Sequence, residues 1–170
     1  KIGDKPKFPG HIRAKDVDGI IVSHAHLDHS GGVPQFYLRD EKPFFATPVT
    51  TGLMRILIRD MIKLSGYWLP FEYVEFEAML KQTRNLAYKE KVKMKNVEFN
   101  LLDAGHIPGS SMVELATGGK RILYTGDMNT DTTRLCQGAK VPRKRFDAII
   151  IESTYANKDH PERKKLEVEF

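Results

Sequence analysis

Apolar residues fall along this chain in two kinds of run. Short β-branched or aromatic runs at 19–23, 44–46, 97–102, 111–115, 121–125 and 147–151 predict strands. Leu53, Met54, Leu57, Ile58, Met61 and Ile62 recur at helical spacing and predict an amphipathic helix over 49–64. A second helix is predicted over 71–82, entered after Pro70, and a short one over 33–38. Gly118-Gly119 predicts a tight hairpin between two of the strands. Residues 1–18 read as loop, and so does the glycine-punctuated stretch 24–32. Pro161 opens what reads as a starting helix at 161–170. Tyr67, Trp68, Phe71, Tyr73 and Phe76 are expected to pack between the two longer helices. The order is strand, helix, strand, two helices, then mostly strands, which predicts a layered α/β arrangement, an α+β sandwich, rather than a doubly wound sheet.

Composition narrows the class. An apolar share of 41 % in 170 residues supports a packed core and excludes wholesale disorder. No apolar run approaches the roughly 18–20 residues of a membrane-spanning helix, so no membrane association is expected. One cysteine, Cys136, excludes a disulfide scaffold. The net charge of +5 permits a polyanionic partner without demanding one. The chain opens at Lys1 with no export signal, so a cytoplasmic location is expected, and it reads as a fragment of a longer protein.

The chemistry concentrates in His24-Ala25-His26-Leu27-Asp28-His29, which holds three of the six histidines. Residues two apart in an extended segment point the same way, so His24 and His26 can present imidazoles to one ion. Asp28 and His29 lie past the bend and can face a second point nearby. Imidazole and carboxylate suit Zn²⁺. Further ligands are sought at the ends of later strands, where His106 follows 97–102 and Asp127 follows 121–125. A lone histidine or aspartate there is ordinarily a turn residue; the first motif is what makes them candidates. Arg55, Arg59 and Lys63 fall four apart and form a basic stripe, a candidate RNA contact, and Lys140, Arg143, Lys144 and Arg145 form a second cluster. A charged stripe is more commonly a solvated face.

These motifs in succession resemble the metallo-β-lactamase fold. Glu152-Ser153-Thr154-Tyr155, Asp103-Ala-Gly-His106 and Tyr124-Thr-Gly-Asp127 resemble its β-CASP branch, which includes RNase J and the cleavage factors of mRNA 3′-end processing, most closely the archaeal ones. Ala156 stands where many members have glycine. The resemblance implies an αββα fold, here incomplete at both ends. Residues 1–151 would be a metallo-β-lactamase domain lacking its N-terminal strands, and 152–170 the start of the β-CASP domain. It implies one zinc on His24, His26 and His106, a second on Asp28 and His29, and Asp127 bridging them. Asp28 would also orient the nucleophile, and Glu152 would serve catalysis through a histidine that this chain lacks. The second of the two Zn²⁺ sites is then incomplete. His160 is expected to be a solvent-exposed side chain.

The activity implied is that of a metal-dependent phosphodiesterase, a ribonuclease acting on single-stranded RNA in mRNA 3′-end processing or RNA decay. It would cut internally, from the 5′ end, or both, using a water activated by two metal ions. This chain alone would be weak or inactive. Protein partners, a second copy or processing-complex subunits, would bind through regions outside it. Two other readings stay open: a hydrolase of the same fold acting on thioesters or lactones, and a non-catalytic scaffold subunit. Glu152-Ser-Thr-Tyr argues against the first, and the full set of ligand residues against the second.

Overall fold

The structure, a computed structural model, describes residues 10, 12–38, 41–65 and 68–157. Two sheets form its centre. Strands β1 (Ile20–Ile21), β2 (Phe44–Ala46) and β3 (Thr83–Asn85) make a parallel sheet in that order. Strands β4 (Val92–Met94), β5 (Val97–Asp103), β6 (Ser111–Thr117), β7 (Lys120–Tyr124) and β8 (Ala148–Ile150) make the second sheet, also in chain order. Pairing is antiparallel from β4 to β7, and β8 joins β7 in parallel. Strands β5, β7 and β8 therefore run the same way, and the loops leaving them gather at one end of the sheet.

A one-turn helix α1 (Leu27–Ser30) follows β1, and α2 (Pro48–Ser65) and α3 (Tyr73–Lys81) follow β2. The Thr47 hydroxyl starts α2 by accepting the Thr50 amide at 3.2 Å. A reciprocal capping box between Glu72 and Glu75 starts α3. Strand alternation divides the core. Phe44 and Ala46 face the helices, among Met54, Ile58, Phe76 and Met79. Phe45 points the other way, against Phe99, Leu101 and Val113 of the larger sheet, with its ring centroid 5.0 Å from that of Phe99. The layers run helix, sheet, sheet, which is the α+β architecture of a metallo-β-lactamase fragment. On the outer face of the larger sheet, Met112 and Leu123 are covered by Met128, Ala139 and Phe146 from the segment between β7 and β8.

Several expectations need correction. The stretch 24–32 is not all loop, because α1 lies inside it, closed by Ser30 and Gly31 amides onto the carbonyls of His26 and Leu27. Strands β3 and β4 had no expectation at all. Thr83-Arg84-Asn85 carries no apolar signal and is a strand because the open edge of β2 takes its backbone. Phe71 and Phe76 pack between the helices as expected, but Tyr73 and Trp68 are exposed. Lys144 of the second basic cluster pairs with the nearly buried Glu114. Tyr67, His160, the helix start at 161–170 and most of the segment 152–170 lie outside the described residues. No described helix is long and apolar enough to cross a membrane.

Candidate metal centre

Four strand ends supply the site. His24, His26, Asp28 and His29 follow β1; His106 follows β5, Asp127 follows β7 and Glu152 follows β8. The two sheets are tied at this end, where the Ser23 carbonyl accepts both the amide (2.7 Å) and the hydroxyl (3.0 Å) of Ser111. Gly105, at φ 66°, turns the chain towards His106, and the Ser110 hydroxyl accepts the His106 amide at 3.1 Å. Gly109 lies against the start of α2, its carbonyl accepting the Thr47 and Thr50 hydroxyls at 2.8 Å each. The His106 loop is thus held from both sides.

The ring nitrogens converge. His24 Nε2 lies 3.2 Å from His26 Nδ1, and His106 Nε2 lies 3.2 Å from the same atom. Asp127 Oδ2 lies 3.7 Å from His24 Nε2 and 3.6 Å from His106 Nε2. One donor atom from each of these four residues falls within 4.8 Å of every other, as a shared cation would need. Its second oxygen turns elsewhere, with Oδ1 3.4 Å from His29 Nε2, which is itself 3.5 Å from Asp28 Oδ2. Donors around a tetrahedral zinc, at about 2.0–2.1 Å from it, stand roughly 3.3–3.4 Å apart. The spacings here match that pattern closely enough for the donor set to fit the ion.

His24 is fully buried. Its Nδ1 lies 3.1 Å from the Ser23 hydroxyl, which leaves Nε2 to face the cluster. Burial, and next the neighbouring His29, His106 and His26, hold this imidazole at about 3, against an upward pull from Asp28. Burial likewise lowers His106, although Asp127 and Glu152 oppose it. Neutral imidazoles are the form that binds metal. The shift also sets a stability window. Below its ordinary value of 6.5, His24 takes up a proton in the unfolded chain but not in the folded one, so stability falls with pH from there to about 3. Metal-free protein should lose about 2 kcal/mol from this group between pH 7 and pH 5, read from urea unfolding at the two values. A His24→Gln protein should lose correspondingly less; equal losses in both would exclude His24 as the cause.

Glu152 reaches back to the Asp127 loop. Its Oε1 accepts the Met128 amide at 3.1 Å, and its Oε2 the Thr154 amide at 3.4 Å. Burial raises this carboxyl, but the hydrogen bonds from Thr154 and the Met128 amide, with His106 nearby, outweigh it and leave it below the usual range. It is an anionic acceptor. Arg55 and Arg59 line a cleft between α2 and α3, whereas Lys63 does not; Lys81 from α3 stands there instead. Sequence reasoning gave no role to Ser23 or Ser110, and met Gly126 only as part of the Tyr124-Thr-Gly-Asp127 motif. Ser23 directly precedes His24, which is the signal that could have flagged it.

Comparison with known proteins agrees with this architecture. Residues 9–166 match the family model described as anti-Pycsar protein Apyc1. The probable RNase MJ4 of Methanocaldococcus jannaschii is 37 % identical over 100 % of this chain and 42 % of its own length. RNase aCSPSF2 of Saccharolobus solfataricus is 34 % identical over 98 % of the chain and 34 % of its own length. Cleavage and polyadenylation specificity factor subunit 3 of Dictyostelium discoideum is 32 % identical over 91 % of the chain and 21 % of its own length. The chain thus spans less than half of each of these relatives. These matches identify it as a metallo-β-lactamase-fold protein that belongs to the family of anti-Pycsar protein Apyc1 and whose curated relatives are β-CASP ribonucleases.

Proposed function

We propose that this chain carries the metal centre of a zinc-dependent ribonuclease that hydrolyses single-stranded RNA in 3′-end processing or RNA decay. The observation that carries the reading is the convergence of His24, His26 and His106 with Asp127, whose two oxygens turn towards two donor sets. His24, His26, His106 and Asp127 would hold one zinc, and Asp28, His29 and Asp127 a second. When bound, such ions lower the pKa of water and draw charge from a phosphoryl oxygen.

The chain's own groups fit the rest of the task. Asp28 is 78 % exposed and stands at the mouth of the cluster, where it accepts a hydrogen bond from an incoming water and orients it. Ser23 holds His24 in the tautomer that presents Nε2 inward. Glu152, held as an anion, accepts hydrogen bonds and does not serve as the acid for the leaving oxygen. Residues 1–151 form the metal-binding unit in this reading, with 152–170 leading into a second domain.

The test combines metal content with RNA hydrolysis. A zinc-loaded longer protein that carries the second domain is expected to cut single-stranded RNA and leave 5′-phosphates, chelator should stop it, and this chain alone should be weak or inactive. A His26→Ala protein, purified identically, sets the background and should fall at least about a hundredfold. Zinc-loaded protein that hydrolyses thioesters but leaves RNA intact would overturn the ribonuclease reading. Protein that retains no zinc would remove its foundation.

A further inference from the structure

We infer that the cleft between α2 and α3 is an anion-binding groove that takes the sugar-phosphate backbone of single-stranded RNA, apart from the metal centre. The inference rests on the ribonuclease reading above and adds a second place where the strand is held.

The cleft has a volume of about 260 Å³ and is lined by Arg55 and Arg59 from α2 and by Tyr73, Glu77 and Lys81 from α3, with the buried Phe76 beneath them. Spacing explains the lining. Arg55 and Arg59 are four apart, so they share one face of α2, and Tyr73, Glu77 and Lys81 share one face of α3 in the same way. Two rows of side chains therefore face each other across the groove.

Three cations stand there against one carboxylate. Among the described residues some lysines elsewhere are ion-paired, Lys91 with Glu98, Lys95 with Asp18, Lys120 with Asp147 and Lys144 with Glu114. Others, such as Lys63 and Lys93, are not, so what sets the groove apart is three cations gathered on one cleft. Among the described residues, Arg55, Arg59 and Lys81 form no such pair. Arg59 is nevertheless held in place. It donates to the Tyr73 hydroxyl at 3.0 Å, with its guanidinium 5.7 Å from the centre of that ring. Such a guanidinium loses little freedom when it meets a phosphate.

The occupant follows from this chemistry. Unpaired cations on both walls suit a chain that carries a charge on every unit, because one strand can meet both rows at once. An isolated carboxylate would satisfy only one. The exposed edge of Tyr73 offers the ribose and base an apolar surface without hydrogen-bond selection, so binding should ignore sequence. Lys63 continues the stripe along α2 but lies off the groove, and it supplies the control.

The experiment measures binding without turnover. Fluorescence anisotropy with a labelled 20-nucleotide RNA, in chelator, compares wild type with Arg55→Glu/Arg59→Glu and with Lys63→Glu/Lys93→Glu, which changes net charge equally. The groove variant should bind roughly tenfold more weakly at 0.1 M salt, and the slope of log K against log salt should fall by about 1.4, or about 0.7 per lost phosphate contact. The control should stay within about twofold. Equal losses in both variants, or none in either, would overturn the groove and leave the ribonuclease reading standing. Wild-type protein that binds no RNA would overturn both. A second measurement needs no variant: arginine-selective labelling of wild type, in which RNA should shield Arg55 and Arg59. Shielding by polyglutamate but not by RNA would make an acidic protein the occupant and sink the assignment.

Discussion

Asp127→Ala is expected to weaken zinc binding at least about a hundredfold, more than loss of a group that merely supports a ligand would do. Asp127 alone turns an oxygen to each donor set, 3.6 Å from His106 Nε2 on one side and 3.4 Å from His29 Nε2 on the other. Removing it takes the only anion from the buried set and half the anionic charge from the exposed one. Asp28→Ala touches the second set alone and should leave the tighter site within about tenfold of wild type. Competition against a chromophoric chelator reads both variants directly. Thermal melting gives a second readout. Zinc at about a thousand times its Kd adds roughly 4 kcal/mol, or about 10 °C for a chain of this size. Wild type should show that shift and Asp127→Ala should not. An Asp127→Ala protein with wild-type affinity would show that the carboxylate is no ligand, and the two-set arrangement would fall with it.

Much of this arrangement was legible before any coordinates, because two periodicities carry it. The stripe from Leu53 to Ile62 is a helical face packed against the core, and the short apolar runs read as strands are β5, β6 and β7. Gly118 and Gly119, both at positive φ, make the hairpin expected of them. His106 and Asp127 were candidates because they end strands, and the shared direction of β5 and β7 brings both ends to one place. What stayed hidden was set by distant partners. Thr83-Arg84-Asn85 is a strand only because β2 has an open edge. Lys81 sits on a different helix from Arg55 and Arg59, so no stripe along one helix could include it. The bond from the Met128 amide to Glu152 spans 24 positions and leaves no local pattern. Tyr73 and Trp68 are aromatic, and that alone assigned them to the interior; Tyr73 stands on an exposed face of α3 and Trp68 in the connection between α2 and α3.

Gly126→Val should damage both fold and site. Gly126 ends the β7 connection at φ 54°, a region that β-branched residues rarely enter. A Cβ there would stand 2.8 Å from Ser23 Cβ and 2.9 Å from Ser23 Oγ. Ser23 has little room to yield, since its carbonyl holds Ser111 and its hydroxyl lies beside His24 Nδ1. Strain and crowding together should cost about 3 kcal/mol. The chemistry should suffer as well, because the push separates the Asp127 loop from His24 at the point where they meet. Zinc affinity should therefore fall at least about tenfold even at temperatures where the variant is folded. Gly52 provides the contrast. It lies inside α2 with nothing within 4 Å of an added Cβ. Gly52→Ala should stabilise the chain by about 0.5–1 kcal/mol and leave zinc affinity unchanged. Urea unfolding paired with the chelator competition separates the two effects. A Gly126→Val protein with wild-type stability and zinc affinity would mean that the β1 and β7 ends do not approach as described, and the centre would lose the contact that brings Asp127 to the histidines.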